Sequence, residues 1–268
     1  MGQLSIFFCL AYLISWTLWL PLYSPVLGFT FEYSVKYLHA IGAIGPLIAS
    51  LICTWIFDGS ENLKNLIRAF FTTSKISFLL IALLSPFLLN IIVVGIYYFQ
   101  TGNLEDLSKV GLTREFPEFN AISFFFYNLL FFGYGEETGW RGFALPRLQR
   151  TFNALNASLT LAFFWAIWHW PLFFYRPGYT GMDMPGILGW GLSLLTGSIL
   201  LTWLFNSSRG SILVCAIFHS AIDVAFTSDY LDKNMVGLMG MLITIWGIVV
   251  VFVFKPANLS RTSRVIRS

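Results

Sequence analysis

The sequence predicts an all-α, polytopic membrane protein with about eight transmembrane helices in one domain over residues 1–268. Three observations carry this prediction. The chain is 57% hydrophobic and 18% aromatic, and only 11% of its residues are charged, against roughly 25% in a soluble domain. The charged residues gather in short stretches between apolar runs long enough to cross a bilayer. A net charge of +3 without a basic patch argues against nucleic-acid binding.

Apolar runs bounded by charged residues, Gly or Pro define the spans. They cover residues 4–24, 37–57, 77–99, 120–144, 155–175, 187–205, 211–227 and 235–254. No Lys or Arg precedes the first run, so it is interpreted as a membrane helix and not as a cleaved signal peptide. In residues 58–75, basic and apolar residues alternate at helical spacing. This pattern predicts either an interfacial amphipathic helix or an ordinary connecting loop.

The distribution of Lys and Arg predicts the orientation of these spans. Eight spans place both termini on one side, and eleven Lys and Arg residues fall on that side against five on the other. Connections rich in Lys and Arg remain in the cytoplasm. Both termini are therefore predicted to be cytoplasmic, in the plasma membrane if the protein is prokaryotic.

Six ionisable residues within or beside the spans are candidates for a functional site, because such groups are costly in hydrocarbon. They are Glu136, Glu137, Arg141, His169, His219 and Asp223. Glu137 and Arg141 are four residues apart, which predicts an ion pair on one helix face with a structural role. Glu136 is rotated by about 100° from Glu137. It is expected to lack a helical partner and to serve as the general base.

The spacing of these residues predicts that they meet. Glu136 and His169 lie 33 residues apart, and the midpoint between them falls at residues 152–153. If the fourth and fifth spans form an antiparallel hairpin that closes near Asn153, Glu136 and His169 face each other at similar depth. His219 and Asp223 are four residues apart on one helix face, at a comparable depth in the seventh span.

The order of the motifs resembles that of the CPBP family of intramembrane proteases, which includes the type II CAAX prenyl endopeptidases as well as bacteriocin-processing and lysostaphin-resistance-like proteins. The motifs are EExxxR, a pattern of the FxxxH type, and HxxxD, at Glu136, Glu137, Arg141, His169, His219 and Asp223. The resemblance covers a core of about residues 120–227. It implies an all-helical membrane protease.

The resemblance also implies roles for individual residues. The residue that matches Glu136 activates water with the help of the one that matches His169, and those that match His219 and Asp223 stabilise the oxyanion. The prenyl endopeptidases carry Asn at the position of Asp223, and an ionised Asp cannot donate a hydrogen bond. Asp223 must therefore either carry a proton or act otherwise, for example as a metal ligand.

A zinc site formed by Glu136, His169, His219 and Asp223 is the alternative to a site that needs no cofactor. The substrate implied is a peptide or the C-terminus of a prenylated protein in contact with membrane lipid. The reaction would remove the C-terminal tripeptide of a CAAX protein or process a small peptide. A proton- or ion-coupled transporter and a non-catalytic membrane scaffold or immunity protein of the same fold remain as alternative functions.

Overall fold

A computed structural model of the chain describes residues 2–31, 37–72, 75–103, 106–113 and 115–266. Every regular element in this part of the chain is a helix, as predicted. The helices are α1 Gly2–Tyr23, α2 Leu38–Ala43, α3 Gly45–Arg68, α4 Ile76–Thr101, α5 121–151, α6 Ala154–Trp168, α7 Leu172–Tyr175, α8 Met184–Ser207, α9 Ile212–Phe226 and α10 Lys233–Asn258. Single 3₁₀ turns occupy Ser24–Leu27 and Leu107–Lys109.

Six helical segments of the described residues are long and apolar enough to cross a membrane. They are Gly2–Leu27, Leu38–Arg68, Ile76–Thr101, Ala154–Tyr175, Met184–Ser207 and Lys233–Asn258. The protein is therefore a polytopic membrane protein. The seventh predicted span corresponds to the 15-residue helix α9, and the fourth corresponds to α5, whose geometry is interrupted.

Helix α5 is a continuous helical segment with two π-helical stretches. It consists of Ala121–Asn128 (α), Leu129–Tyr134 (π), Gly135–Glu137 (α), Thr138–Ala144 (π) and Leu145–Thr151 (α). The Asn120 side chain caps its start by accepting from the Ser123 amide at 2.9 Å. Pro146 is the second residue of the last α-helical section, directly after the second π-helical stretch. Proline has no backbone N–H, and the absence of this donor is tolerated at the start of a helical section. The helix therefore extends beyond the predicted end at residue 144.

The predicted hairpin between α5 and α6 is present. Helix α5 ends at Thr151, Phe152 follows it in an extended conformation, and the Asn153 side chain caps α6 by accepting from the Asn156 amide at 2.8 Å. The helix α6 ends at Trp168, before the predicted end of the fifth span at residue 175. Pro171 explains the break, because it has no N–H to continue the helix. His169 consequently lies in a turn at the end of α6.

The segment 58–75 is helical in the part that the structure describes. Helix α3 continues to Arg68 across a bend at Gly59, whose φ is 82°. Positive φ is readily adopted by Gly alone, so the bend falls where the sequence permits it. Of the two interpretations of this segment, the helix is therefore correct as far as Arg68. Residues 73 and 74 lie outside the described residues.

Two glycines let α5 approach its neighbours closely. A Cβ at Gly133 would lie 2.6 Å from Ser220 Oγ on α9, and one at Gly139 would lie 2.7 Å from the carbonyl oxygen of Pro46 on α3. Small residues at helix contacts are the usual device for tight packing in membranes. Glu136 and Glu137 lie between these two contacts, so the glycines position the acidic residues in the interior.

Replacing Gly139 by Ala should destabilise the packing of α5 on α3. The added methyl group would lie 2.6 Å from Pro46 Cβ, and overpacking of this kind costs about 1 to 3 kcal/mol. Thermal unfolding in detergent micelles measures the effect as a lower midpoint. Gly197→Ala on α8 is the matched control, because nothing lies within 4 Å of its added Cβ. Equal midpoints for both variants would show that this contact is not needed.

Candidate active site

Both adjacent glutamates lie on the short α-helical section of α5 between its π-helical stretches. Glu136 is 3% exposed and Glu137 is fully buried. π-helical turns are rare and occur frequently at functional sites. The two π-helical stretches flank this section, so the glutamates lie between the two places where α5 departs from ordinary α-helical geometry.

Glu137 Oε1 accepts two hydrogen bonds from residues of different helices. Arg141 Nη1 donates to it at 3.0 Å, and His219 Nδ1 donates to it at 2.7 Å. The ion pair predicted between Glu137 and Arg141 is therefore present, with both side chains fully buried. The bond from His219 was not predicted. It attaches α9 to the centre of α5.

Arg141 also connects α5 to two further helices. Its Nη2 donates to Ser198 Oγ on α8 at 3.1 Å. Its guanidinium lies 4.8 Å from the centre of the Trp165 ring on α6, within the range of a cation–π interaction. A buried cation needs such partners, since its desolvation is otherwise uncompensated.

Glu136 accepts hydrogen bonds from two indole groups. Trp165 Nε1 donates to Glu136 Oε2 at 2.8 Å, and Trp140 Nε1 donates to the same oxygen at 3.3 Å. The expectation that Glu136 lacks a helical partner is wrong, because Trp140 is four residues further along α5. Reasoning from charges alone overlooked this partner, since an indole N–H donates without carrying a charge.

His169 is held by the helix end on which it lies. Its Nδ1 is 2.8 Å from the carbonyl oxygen of Trp165, and because a carbonyl only accepts, Nδ1 carries the proton in this bond. The neutral ring then has Nε2 as an acceptor. The direct hydrogen bond from α6 to Glu136 is made by Trp165, one turn before His169. Trp165 thus contacts both residues that were expected to face each other.

His219 and Asp223 form the exposed end of the site. His219 Nε2 lies 3.6 Å from Asp223 Oδ2, which is longer than a hydrogen bond. The Asp223 side chain is 31% exposed, whereas that of His219 is 8% exposed. The ring of His219 also meets Trp165 edge to face, with the centroids 5.7 Å apart. The opening of the site is therefore beside Asp223.

Aromatic side chains lie next to His169. Trp190 packs edge to face with His169 at 5.9 Å, and Tyr179 packs against Trp190 at the same centroid distance. Phe173 contacts both Tyr179 and Trp190, at 5.3 and 5.1 Å. By contrast, Phe163 and Trp170 are more than half exposed. The aromatic residues near His169 thus divide into a half-buried wall beside the site and an outward-facing set.

The described residues do not present a preformed metal site. No group of three or more His, Cys, Asp or Glu side chains among them is placed to hold a metal ion. The Nδ1 atoms of His169 and His219 are engaged by oxygen acceptors, and Glu136 Oε2 is engaged by two indoles. The Nε2 atoms of both histidines are not used by these bonds, so the zinc alternative stays a prediction.

Sequence reasoning missed Trp140, Trp165 and Ser198 as parts of this cluster. The pattern that ends at His169 begins with Trp165, where the FxxxH type has phenylalanine. That departure was a usable signal, because tryptophan adds an N–H donor that phenylalanine lacks. Trp140 follows Glu136 at the spacing that brings helical side chains together. No sequence signal indicated Ser198.

Comparison with known proteins shows similarity to one described family and to a named archaeal protein. Residues 118–225 match the family described as "Type II CAAX prenyl endopeptidase Rce1-like". A protein of Methanococcus maripaludis named "CAAX prenyl protease 2" is 26% identical over 228 residues, which cover 82% of each chain. The family match coincides with the predicted core at about residues 120–227, and it contains all six candidate residues.

Replacing Trp165 by Phe should lower the kcat of the peptide hydrolysis that the family match implies, and leave KM unchanged. The variant keeps an aromatic ring but loses the hydrogen bond to Glu136. Bonds to charged groups contribute about 1.5 to 3 kcal/mol, so kcat should fall roughly tenfold to a hundredfold. Steady-state hydrolysis of a peptide reporter provides the measurement.

Trp168→Phe is the matched control for this variant. Trp168 is equally deep in the core, but its indole donates to Ser15 Oγ at 2.9 Å. The control should retain its kcat. Equal losses in the two variants would mean that Trp165 only contributes to packing.

Proposed function

We propose that the chain, which matches the Rce1-like type II CAAX prenyl endopeptidase family over residues 118–225, hydrolyses a peptide bond with water activated by Glu136. One observation carries the proposal. Glu136 is a buried carboxylate whose Oε2 is held by two uncharged donors, while the adjacent Glu137 is occupied by Arg141 and His219. Glu136 therefore has an oxygen, Oε1, to accept a proton.

In the proposed reaction, Glu136 Oε1 takes a proton from water as the water attacks the scissile carbonyl. The indoles of Trp140 and Trp165 fix the orientation of the carboxylate. His169 Nε2 accepts a hydrogen bond from the same water, because its Nδ1 already donates to a carbonyl. The proton held on Glu136 is then available to the leaving amine.

The developing oxyanion is stabilised on the opposite side of the site. His219 Nδ1 donates to Glu137, so Nε2 faces the open end. When Nε2 also holds a proton, it donates to the oxyanion. Asp223 Oδ2 is 3.6 Å from this nitrogen, close enough for both groups to reach one oxygen. To donate, Asp223 must be protonated.

The substrate is a peptide, either the C-terminus of a prenylated protein or a small unlipidated peptide. The aromatic wall of Phe173, Tyr179 and Trp190 supports a substrate with apolar groups. Cleavage of a prenylated reporter peptide, compared with its unprenylated twin, decides between the two. A transporter or a non-catalytic scaffold would cleave neither peptide.

Replacing Glu136 by Gln should remove the proposed base while preserving its hydrogen bonds. The amide oxygen still accepts from the indoles, but it cannot take a proton from water. General bases contribute about 10²- to 10⁴-fold, so kcat should fall by that factor in the purified protein. Glu61→Gln is the matched control, because Glu61 is 68% exposed on α3. Full activity of Glu136→Gln would disprove the assignment.

Replacing Asp223 by Asn tests whether this residue donates a hydrogen bond. An amide donates without needing a proton, so the variant should keep most of its activity and remain insensitive to chelators. The assay is peptide hydrolysis with and without a chelator, together with metal analysis of the purified protein. Loss of activity accompanied by loss of bound zinc would instead identify Asp223 as a metal ligand.

A further inference from the structure

We propose that the protein binds one anionic phospholipid beside the end of α5, with the lipid phosphate at Arg147 and Arg150 and an acyl chain against α1 and α3. The site is separate from the candidate active site, because none of the six candidate residues is among the described residues that line it. The inference does not depend on the proposed reaction. Three observations lead to it, namely two cavities, a pair of arginines and an apolar lining.

Two cavities have Arg147 in their lining. The first, which we call the asparagine cavity, has a volume of about 370 Å³ and is lined by Asp58, Asn62 and Asn65 of α3. The second, which we call the N-terminal cavity, has a volume of about 640 Å³ and is lined by residues 2–4 of α1 together with the end of α5. A group bound at Arg147 in one cavity is therefore next to the other.

The N-terminal cavity lies where apolar helices meet polar sequence. Helix α1 begins at Gly2 and α5 ends at Thr151, and both residues line the cavity. Phe57, which also lines it, is followed by Asp58 and by the bend of α3 at Gly59. Apolar spans give way to charged residues at the level of the lipid headgroups. The cavity is therefore expected at headgroup depth.

Arg147 is held in place but keeps hydrogen-bond donors. Its side chain is 7% exposed, forms an ion pair with Asp58, and donates from Nη1 to the carbonyl oxygen of Phe143 at 2.9 Å. A guanidinium has five N–H donors, and these two bonds leave three of them. Its Nε has no partner. Arg147 can thus bind a further acceptor without giving up Asp58.

The charge around the two cavities favours an anion. Arg150 is exposed, interacts electrostatically with Arg147, and has no acidic partner in the part of the chain that the structure describes. Two guanidinium groups therefore meet one carboxylate, that of Asp58. The first backbone N–H groups of α1, from Gly2 onwards, also point out of the helix start and attract negative charge. Phosphate suits this set, because arginine binds it through paired hydrogen bonds.

The apolar lining favours a phospholipid over free phosphate. Leu4, Ile6 and Phe57 line the N-terminal cavity beside Arg147 and Arg150. Ile6 is 45% exposed, at a position in a membrane helix where the surroundings are hydrocarbon. An acyl chain packs on these side chains, whereas an inorganic anion gains nothing from them. Basic pockets between membrane helices recognise anionic lipids through this combination of charge and apolar surface.

Lipid binding to the purified full chain in detergent tests the proposal. The probes are phosphatidylglycerol, phosphatidylcholine with the same acyl chains, and inorganic phosphate. Native mass spectrometry should show one retained phosphatidylglycerol, and this lipid should raise the thermal unfolding midpoint, since it binds the folded state. Phosphatidylcholine and phosphate should do neither. Equal retention of both lipids, an equal shift from phosphate alone, or no retained phosphatidylglycerol would each overturn the proposal.

Three variants distinguish a built site from general attraction between basic residues and anionic lipid. Arg150→Gln should bind phosphatidylglycerol about tenfold more weakly, because it loses a charge-assisted hydrogen bond. Arg261→Gln is the matched control, since Arg261 is exposed and does not line either cavity. Ile6→Trp fills the apolar part of the N-terminal cavity without a change of charge and should also weaken binding. Equal affinities of Arg150→Gln and Arg261→Gln, or wild-type affinity of Ile6→Trp, would overturn the proposal.

Discussion

The burial of the Glu137 carboxylate is the constraint on which the rest of the structure depends. In the apolar interior of a membrane protein, a charged group must be paired and hydrogen-bonded within the protein. Arg141 and His219 provide this pairing through one oxygen. Because Arg141 belongs to α5 and His219 to α9, satisfying this carboxylate fixes the two helices against each other. The bond from Arg141 to Ser198 extends the same network to α8.

This arrangement gives the two adjacent glutamates different environments. Glu137 meets an arginine and a histidine, whereas Glu136 meets the N–H groups of two tryptophans. Trp165 joins the two environments, because its ring lies under Arg141, its indole donates to Glu136 and its carbonyl holds His169. A carboxylate that is oriented without a bound cation remains available for proton transfer. In the proposed mechanism, position within the network, and not residue type, therefore separates the structural glutamate from the catalytic one.

The sequence was sufficient to predict the helical membrane fold and the Glu137–Arg141 pair. Length and hydropathy determine the spans, and spacing along a helix determines which side chains share a face. The π-helical stretches of α5 could not be predicted in this way, because they leave no distinct period in so short a segment. The hydrogen bond from Trp165 to Glu136 could not be predicted from charged residues alone, because an indole N–H donates without a charge. The end of α6 at Trp168 reflects Pro171.

The most direct test of this account compares the thermal unfolding of Glu136→Gln and Glu137→Gln in detergent. The account predicts that Glu137→Gln leaves Arg141 buried without its counter-charge and loses about 3 to 5 kcal/mol of stability. Glu136→Gln keeps an acceptor for both indoles and should unfold close to the wild-type midpoint. A loss of stability in Glu136→Gln that equals or exceeds the loss in Glu137→Gln would contradict the separation of roles between the two glutamates.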